Sequence, residues 1–148
     1  MRPVFYKLSH GTEHFNYNEI LESIDKKLVY VHKDTGAKGT SAKTQAEDFI
    51  DAHIGDYFYL TYGSKRIYLL GQFIGPVNYF SSKEEGWLDR PFRLIRTAIS
   101  DKRYEGKQYW WAPNHDSTFI KVKKEDLNLF EELILDPYFN ISLDDFGL

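Results

Sequence analysis

Five histidines, one lysine-bearing glycine loop, three tryptophans and a run of arginines are the residues here whose types and spacing bear on chemistry. His10 and His14 lie four apart, a spacing that on a helix would turn two imidazoles toward one metal ion. Gly11 stands between them and the glutamate of H-E-x-x-H is missing, so the pair reads as incidental. His115-Asp116-Ser117 has the letters of a hydrolytic triad, but a triad is assembled in space and the chain has no G-x-S-x-G elbow. Gly36-Ala37-Lys38-Gly39 fits the four-letter G-x-x-G with which some nucleic-acid-binding domains clamp a backbone. No Gly-Lys-Ser/Thr follows, which removes a Walker loop. The plain reading is a solvated loop, flanked by Lys33, Lys38 and Lys43, which could meet phosphates. With no cysteine among 148 residues, thiol nucleophiles, cysteine zinc sites, iron–sulfur clusters and disulfides are excluded together. No cofactor and no metal are expected.

The tryptophans say more. Trp87, Trp110 and Trp111 all fall in segments that read as loops, among Gly, Asp, Pro and Asn rather than in periodic core runs. Burial in the core is the ordinary fate of tryptophan, yet three in loops of a chain that is 17% aromatic point to a ring-lined pocket. Arg90, Arg93 and Arg96 follow Trp87 closely, and cations interleaved with rings suit a site that stacks on bases while neutralising their phosphates. Strand alternation would send Arg93 and Arg96 to opposite faces, with Arg90 and Arg93 the better phosphate candidates. The net charge of −3 does not oppose this. Seven acids and no base lie from Glu125 onward, leaving 19 basic against 15 acidic groups in the rest, a net of +4.

The elements that must position these residues are short. Val4–Leu8 and Leu28–His32 read as strands, and Asn16 caps a helix over 17–24. Thr44 and Glu47 form a capping box for a helix over 44–53. DYFYLTY and RIYLLGQF make a hairpin around Gly63-Ser64, VNYF continues it briefly, FRLIRTAI and TFIKV are further strands, and 125–135 is an amphipathic helix. The order β-α-β-α-β-β-(β)-β-β-α predicts an α+β domain on a small mixed or antiparallel β-barrel flanked by about three helices. The length suits one domain, and no signal-like or membrane-spanning run of apolar residues is present, so a soluble cytoplasmic protein is expected.

In this element order, and in several short stretches, the chain resembles the PUA-like superfamily. The likeness is to its EVE and YTH branch, above all the N-terminal specificity domains of McrB-like modification-dependent restriction systems. YKLSHG is similar to the family's opening strand and corner. TSAKTQAEDFIDAHIGDYFYLTYGSKRIYLLGQF resembles its helix, G-D turn and hairpin, and EEGWLDRPFRLIR its tryptophan loop and basic strand. NISLDDF is similar to the close of YTH domains. One departure is the loop after the second strand, where the family often has Trp or Arg-Asn and this chain has YVHKDTGAKGTSAK.

The resemblance implies a reader and not a catalyst: a module that holds a flipped, methylated base in an aromatic cage and supplies DNA specificity to a separate motor or nuclease. Stacking on both faces offsets an extrusion cost of a few kcal/mol. Carried over by position, Ser9 and His10 line the corner, Trp87 is one wall and Tyr30 or His32 another. Trp110 and Trp111 either close the pocket or belong to the core. Lys33, Lys38, Lys43, Arg90, Arg93 and Arg96 are the candidates for backbone contacts. The alternatives are an RNA-binding PUA-like domain and a small-molecule-binding or hydrolytic barrel using the same cleft. The chain carries no Walker motif and no nuclease core of its own, so it is expected to serve as part of a larger chain or complex.

Overall fold

A computed structural model describes residues 3–38 and 42–147; Gly39, the end of the G-x-x-G stretch, lies outside them. Six strands form one curled mixed sheet: β1 (Phe5–Ser9), β2 (Leu28–His32), β3 (Tyr57–Tyr62), β4 (Arg66–Phe73), β5 (Trp87–Thr97) and β6 (Phe119–Lys121), in the order β2-β5-β4-β3-β1-β6. Only β1 and β3 run parallel, and the crossover between them carries α1 (Tyr17–Lys26), β2 and α2 (Gln45–Asp51). Asn16 caps α1 as expected, with Glu19 completing a capping box, and the predicted box of Thr44 with Glu47 forms at α2. Among the described residues no helix is long and apolar enough to cross a membrane.

The sheet is a half-barrel, and side-chain alternation divides its core in two. Tyr6 and Leu8 of β1 face the concave side, with Val29, Val31, Phe58, Leu60, Leu69, Phe92 and the Phe49 ring of α2. Phe5 and Tyr59 face outward under the C-terminal helical run, against Phe130, Ile134 and Phe139. With both faces covered, all of β1 is buried, as parallel strands require. Register shifts at Leu60/Thr61 and Leu70/Gly71 supply the curl. Gly71 is needed there, because a Cβ would sit 2.7 Å from the Phe58 ring.

The edge strands β2 and β6 do not pair; α2 bridges them. Buried Gln45 accepts from the N–H groups of Thr118 and Phe119 at 2.7 and 2.8 Å, at the start of β6, and donates to Gly36 O just past β2. One side chain thus satisfies backbone groups that a closed ladder would have paired.

VNYF adds no strand, only an isolated bridge from Asn78 to Asp89, and two other elements depart from the sequence reading. The helix expected at 125–135 is a composite: a 3-10 turn (Lys124–Asp126), α3 (Leu127–Phe130), a π turn (Glu131–Leu135) and α4 (Asp136–Phe139). Pro137 has no N–H to return to Leu133 and its ring crowds that carbonyl, so the chain widens before it instead of stopping. The second difference moves a candidate. Trp87 is not in a loop but opens β5, directly opposite His32 of β2. The sequence reading starts that strand at Phe92.

Candidate functional site

A cleft of ≈ 450 Å³ opens beside the end of β1, between the 9–15 corner, β2, the β3–β4 turn and the 113–118 loop. The chain turns sharply after Ser9: His10 N–H donates to Thr61 O at 2.9 Å, and Gly11 O accepts from the N–H groups of both His14 and Phe15. This lays Phe15 flat on the His10 ring, centroids 4.2 Å apart and planes 7° from parallel. His10 is fully buried and its Nε2 accepts from Tyr30 N–H at 3.1 Å, which fixes the neutral tautomer with its proton on Nδ1. Desolvation, then the charge of Lys83, pushes its pKa down to about 3. Nδ1 has no hydrogen-bond partner.

Trp87 completes this wall. Its ring meets those of His32, Phe15 and His14 edge-on at 5.1, 5.5 and 5.5 Å. Lys83 ties the assembly from behind: Nζ stands 3.9 Å from the Phe15 centroid and 5.0 Å from the Trp87 ring, while donating to His14 O and Glu19 Oε2. Gly86, at φ +89°, carries the chain past His32, whose Nε2 would lie 2.9 Å from any Cβ.

The facing wall, residues 113–118, hangs on Lys7. This fully buried lysine of β1 donates to His115 O and Ser117 Oγ, both at 2.8 Å. Desolvation lowers its pKa to about 7, against a smaller upward pull from Asp116. Ser117 Oγ in turn donates to Trp110 O. Asn114 Nδ2 donates to Gly106 O, leaving Oδ1 buried without a partner, and His115 Nδ1 is unpartnered as well. His115 titrates below its ordinary value, through desolvation and then Lys7 and Lys38.

The cleft gathers some of the residues singled out from sequence. Ser9, Tyr30, His32 and Trp87 all line it; His10 lies beneath, packed on Phe15. Trp111 does not reach it. It is 1% exposed, stacked on Tyr109 and bonded through Nε1 to Asp126, so of the two roles left open for it the core is the one it takes. Trp110 lies outside the lining too, 44% exposed with its ring against His115 at 4.4 Å.

The arginines need larger corrections. Arg90 is 1% exposed: it points into the barrel and donates to Phe49 O and Ala52 O at the end of α2 and to Gly75 O, so no phosphate reaches it. Arg93 and Arg96 share one face after all. Arg93 pairs with Gln72 and Arg96 with Leu70, on the same side of β4, because the register shift at Leu70/Gly71 adds a residue between them. Arg93 bonds Gln72 and Arg96 donates to Phe139 O and Asn140 O, under the C-terminal run. The lysines are exposed but paired: Lys33 with Asp34, Lys38 at 4.0 Å from Asp116, Lys43 with Asp51.

Sequence reasoning passed over Phe15, Lys83, Asn114, Gln45 and Lys7. Lys7 alone carried a signal, a cation inside the apolar run VFYKL. The triad letters form no relay: among the described residues no side-chain hydrogen bond joins His115, Asp116 and Ser117, and Ser117 Oγ is held by Lys7 and Trp110. Among the described residues no three His, Cys, Asp or Glu side chains cluster as a metal site would require.

No family model matches this sequence, and no curated protein matches it. Solved structures do match in fold. The Mmi1 YTH domain in complex with RNA superposes with a TM-score of 0.58 at 11% identity, covering 91% of this chain and 80% of that one. A second complex of YTH domain-containing protein mmi1 with RNA gives 0.58 at 12%, over 91% and 83%. The Mmi1 YTH domain alone gives 0.51 at 11%, over 90% and 75%. Identities this low speak for the fold, a small α+β half-barrel of the YTH and PUA-like kind.

Proposed function

We propose that this chain is a non-catalytic nucleic-acid-binding module that takes a single unstacked base into the cleft. The observation that carries this reading is the convergence of Phe15, Tyr30, His32 and Trp87 on one cavity, reached from three separate stretches of sequence. Its volume lies within the roughly 300–1,000 Å³ of ordinary ligand sites. Each base–ring stack contributes about 1–3 kcal/mol, so two such walls suffice to hold a base out of its stack. The RNA held by two of the fold's neighbours supports a nucleic-acid partner. Within this proposal the substrate is a methylated base in duplex DNA, with a motor or nuclease as the working partner, or a base in single-stranded RNA. The first follows from the resemblance to McrB-like specificity domains, the second from the neighbours.

The test is a binding panel of matched single-stranded RNA, single-stranded DNA and duplex DNA. Each carries N6-methyladenine, 5-methylcytosine or no modification and is read by quenching of tryptophan fluorescence. Preference for one modified oligonucleotide over its unmodified twin is expected, and it also assigns RNA or DNA. Quenching by free nucleosides alone would replace this reading with that of a small-molecule site.

A further inference from the structure

Cations flank the cleft on two sides, and the two sets differ in what they already hold. Toward β2 and α2, Lys33, Lys38 and Lys43 each have an aspartate within 4.0 Å. Across the cleft, the β3–β4 turn carries exposed Lys65 and Arg66, and the loop after β5 brings Arg103 onto it, donating to Ser64 Oγ at 3.0 Å. Among the described residues no carboxylate lies within 4.0 Å of Lys65, Arg66 or Arg103. A phosphate must displace an aspartate to reach the first set; at the second it meets one hydroxyl contact and two cation–ring contacts, and no carboxylate.

This turn is also part of the cleft. Gly63 and Ser64 line it, and Gly63 N–H donates to His10 O at 3.1 Å. At φ +51° Gly63 packs so closely on the corner that a Cβ would meet the Thr12 methyl at 3.2 Å. Rings alternate with the charges: Lys65 Nζ lies 5.8 Å from the Tyr62 centroid and the Arg66 guanidinium 5.2 Å from that of Tyr68. Both tyrosines are half-buried and pack against the Phe15–Tyr30–Trp87 cluster. Cations interleaved with aromatic faces are what a groove tracking a nucleic-acid strand is made of.

Resting on the reading of the cleft as a base site, we propose that the strand flanking the captured base leaves over the β3–β4 turn. Lys65, Arg66 and Arg103 meet its phosphates there, and Tyr62 and Tyr68 lie beside its flanking bases. The lysines around the 33–43 loop take no part in this path.

Salt dependence tests it. The probes are the N6-methyladenine single-stranded RNA and the 5-methylcytosine duplex of the panel, titrated at several salt concentrations. The triple variant Lys65→Gln/Arg66→Gln/Arg103→Gln should lower the log–log salt slope by about 2.1–2.7, at about 0.7–0.9 per lost phosphate contact. Lys33→Gln/Lys38→Gln/Lys43→Gln should lower it by less than about 1. Affinity of the first triple variant for the free modified nucleoside, which has no backbone, should match that of the unsubstituted protein, and an unchanged melting temperature certifies its fold. A larger fall in the second triple variant, or an unchanged slope in the first, overturns the path while leaving the base site standing. Failure of the unsubstituted protein to bind either probe overturns both.

Discussion

On one side of the cleft the Phe15 ring is held between the His10 ring at 4.2 Å and Lys83 Nζ at 3.9 Å, with Trp87 closing against it edge-on. On the other, residues 113–118 bury two polar side-chain atoms with no partner, Asn114 Oδ1 and His115 Nδ1, and hang from the amine of Lys7. The first wall also buries one unpartnered atom, His10 Nδ1, but packing on both sides of the Phe15 ring fixes it. The second is kept in place against a penalty of about 1–3 kcal/mol for each orphaned group. Packed rings give a preformed platform for a ligand, whereas a loop with unmet hydrogen-bonding capacity is the part a ligand can rearrange. One cleft thus combines a rigid face with an adjustable one.

The harshest test of the rigid wall is Trp87→Ala. Removing a ring that is 7% exposed and meets three others should cost about 3–5 kcal/mol in chemical denaturation and abolish preference for a modified base. A loss below about 1 kcal/mol would mean the wall is not one packed unit.

Titration separates the walls. His10 is held at about 3 in the folded chain, so between its ordinary value of 6.5 and about 3 the unfolded chain binds a proton the native one does not. Stability should therefore fall as pH drops through that acid window. Lys7, lowered from 10.5 to about 7, behaves alike in an alkaline window: stability should fall as pH drops from about 10.5 to about 7 and lose nothing more to this group below that. Lys7→Met should remove the alkaline slope and leave the acid one. In the same variant, amide protons of residues 113–118 should exchange faster while those of 10–15 do not change. Equal loosening of both stretches would dissolve the contrast. The smallest effect is expected from Trp110→Ala, within about 1 kcal/mol of stability, because its ring is 44% exposed and touches only the edge of the adjustable wall.

Local chemistry made much of this legible in advance. The N-cap at Asn16, the capping box at Thr44, the alternation of β2 and the hairpin around Gly63-Ser64 are set by neighbours in sequence, and each formed where expected. So did the α+β class with its curled mixed sheet, which stays open as a half-barrel, because short strands broken by glycine leave few other ways to bury so aromatic a core. Ser9, Tyr30, His32 and Trp87 were named from a resemblance in element order, and they meet in one cleft because that order fixes which strand ends are neighbours.

What the sequence could not decide is which charged and aromatic groups stay in contact with water, since that depends on what the rest of the chain lays over them. Arg90 looks like its neighbours in RPFRLIR, yet the end of α2, about forty positions earlier, supplies the carbonyls that take it inside. Arg93 and Arg96 share a face only because β5 carries one extra residue, Ile95, where its pairing with β4 steps between Leu70 and Gly71. Trp110 and Trp111 are adjacent and chemically identical. The C-terminal run covers one with Phe130 and Asp126 and leaves the other in solvent. Residue type and spacing set the elements; burial is a property of the closed surface, and only the assembled sheet and helices determine it.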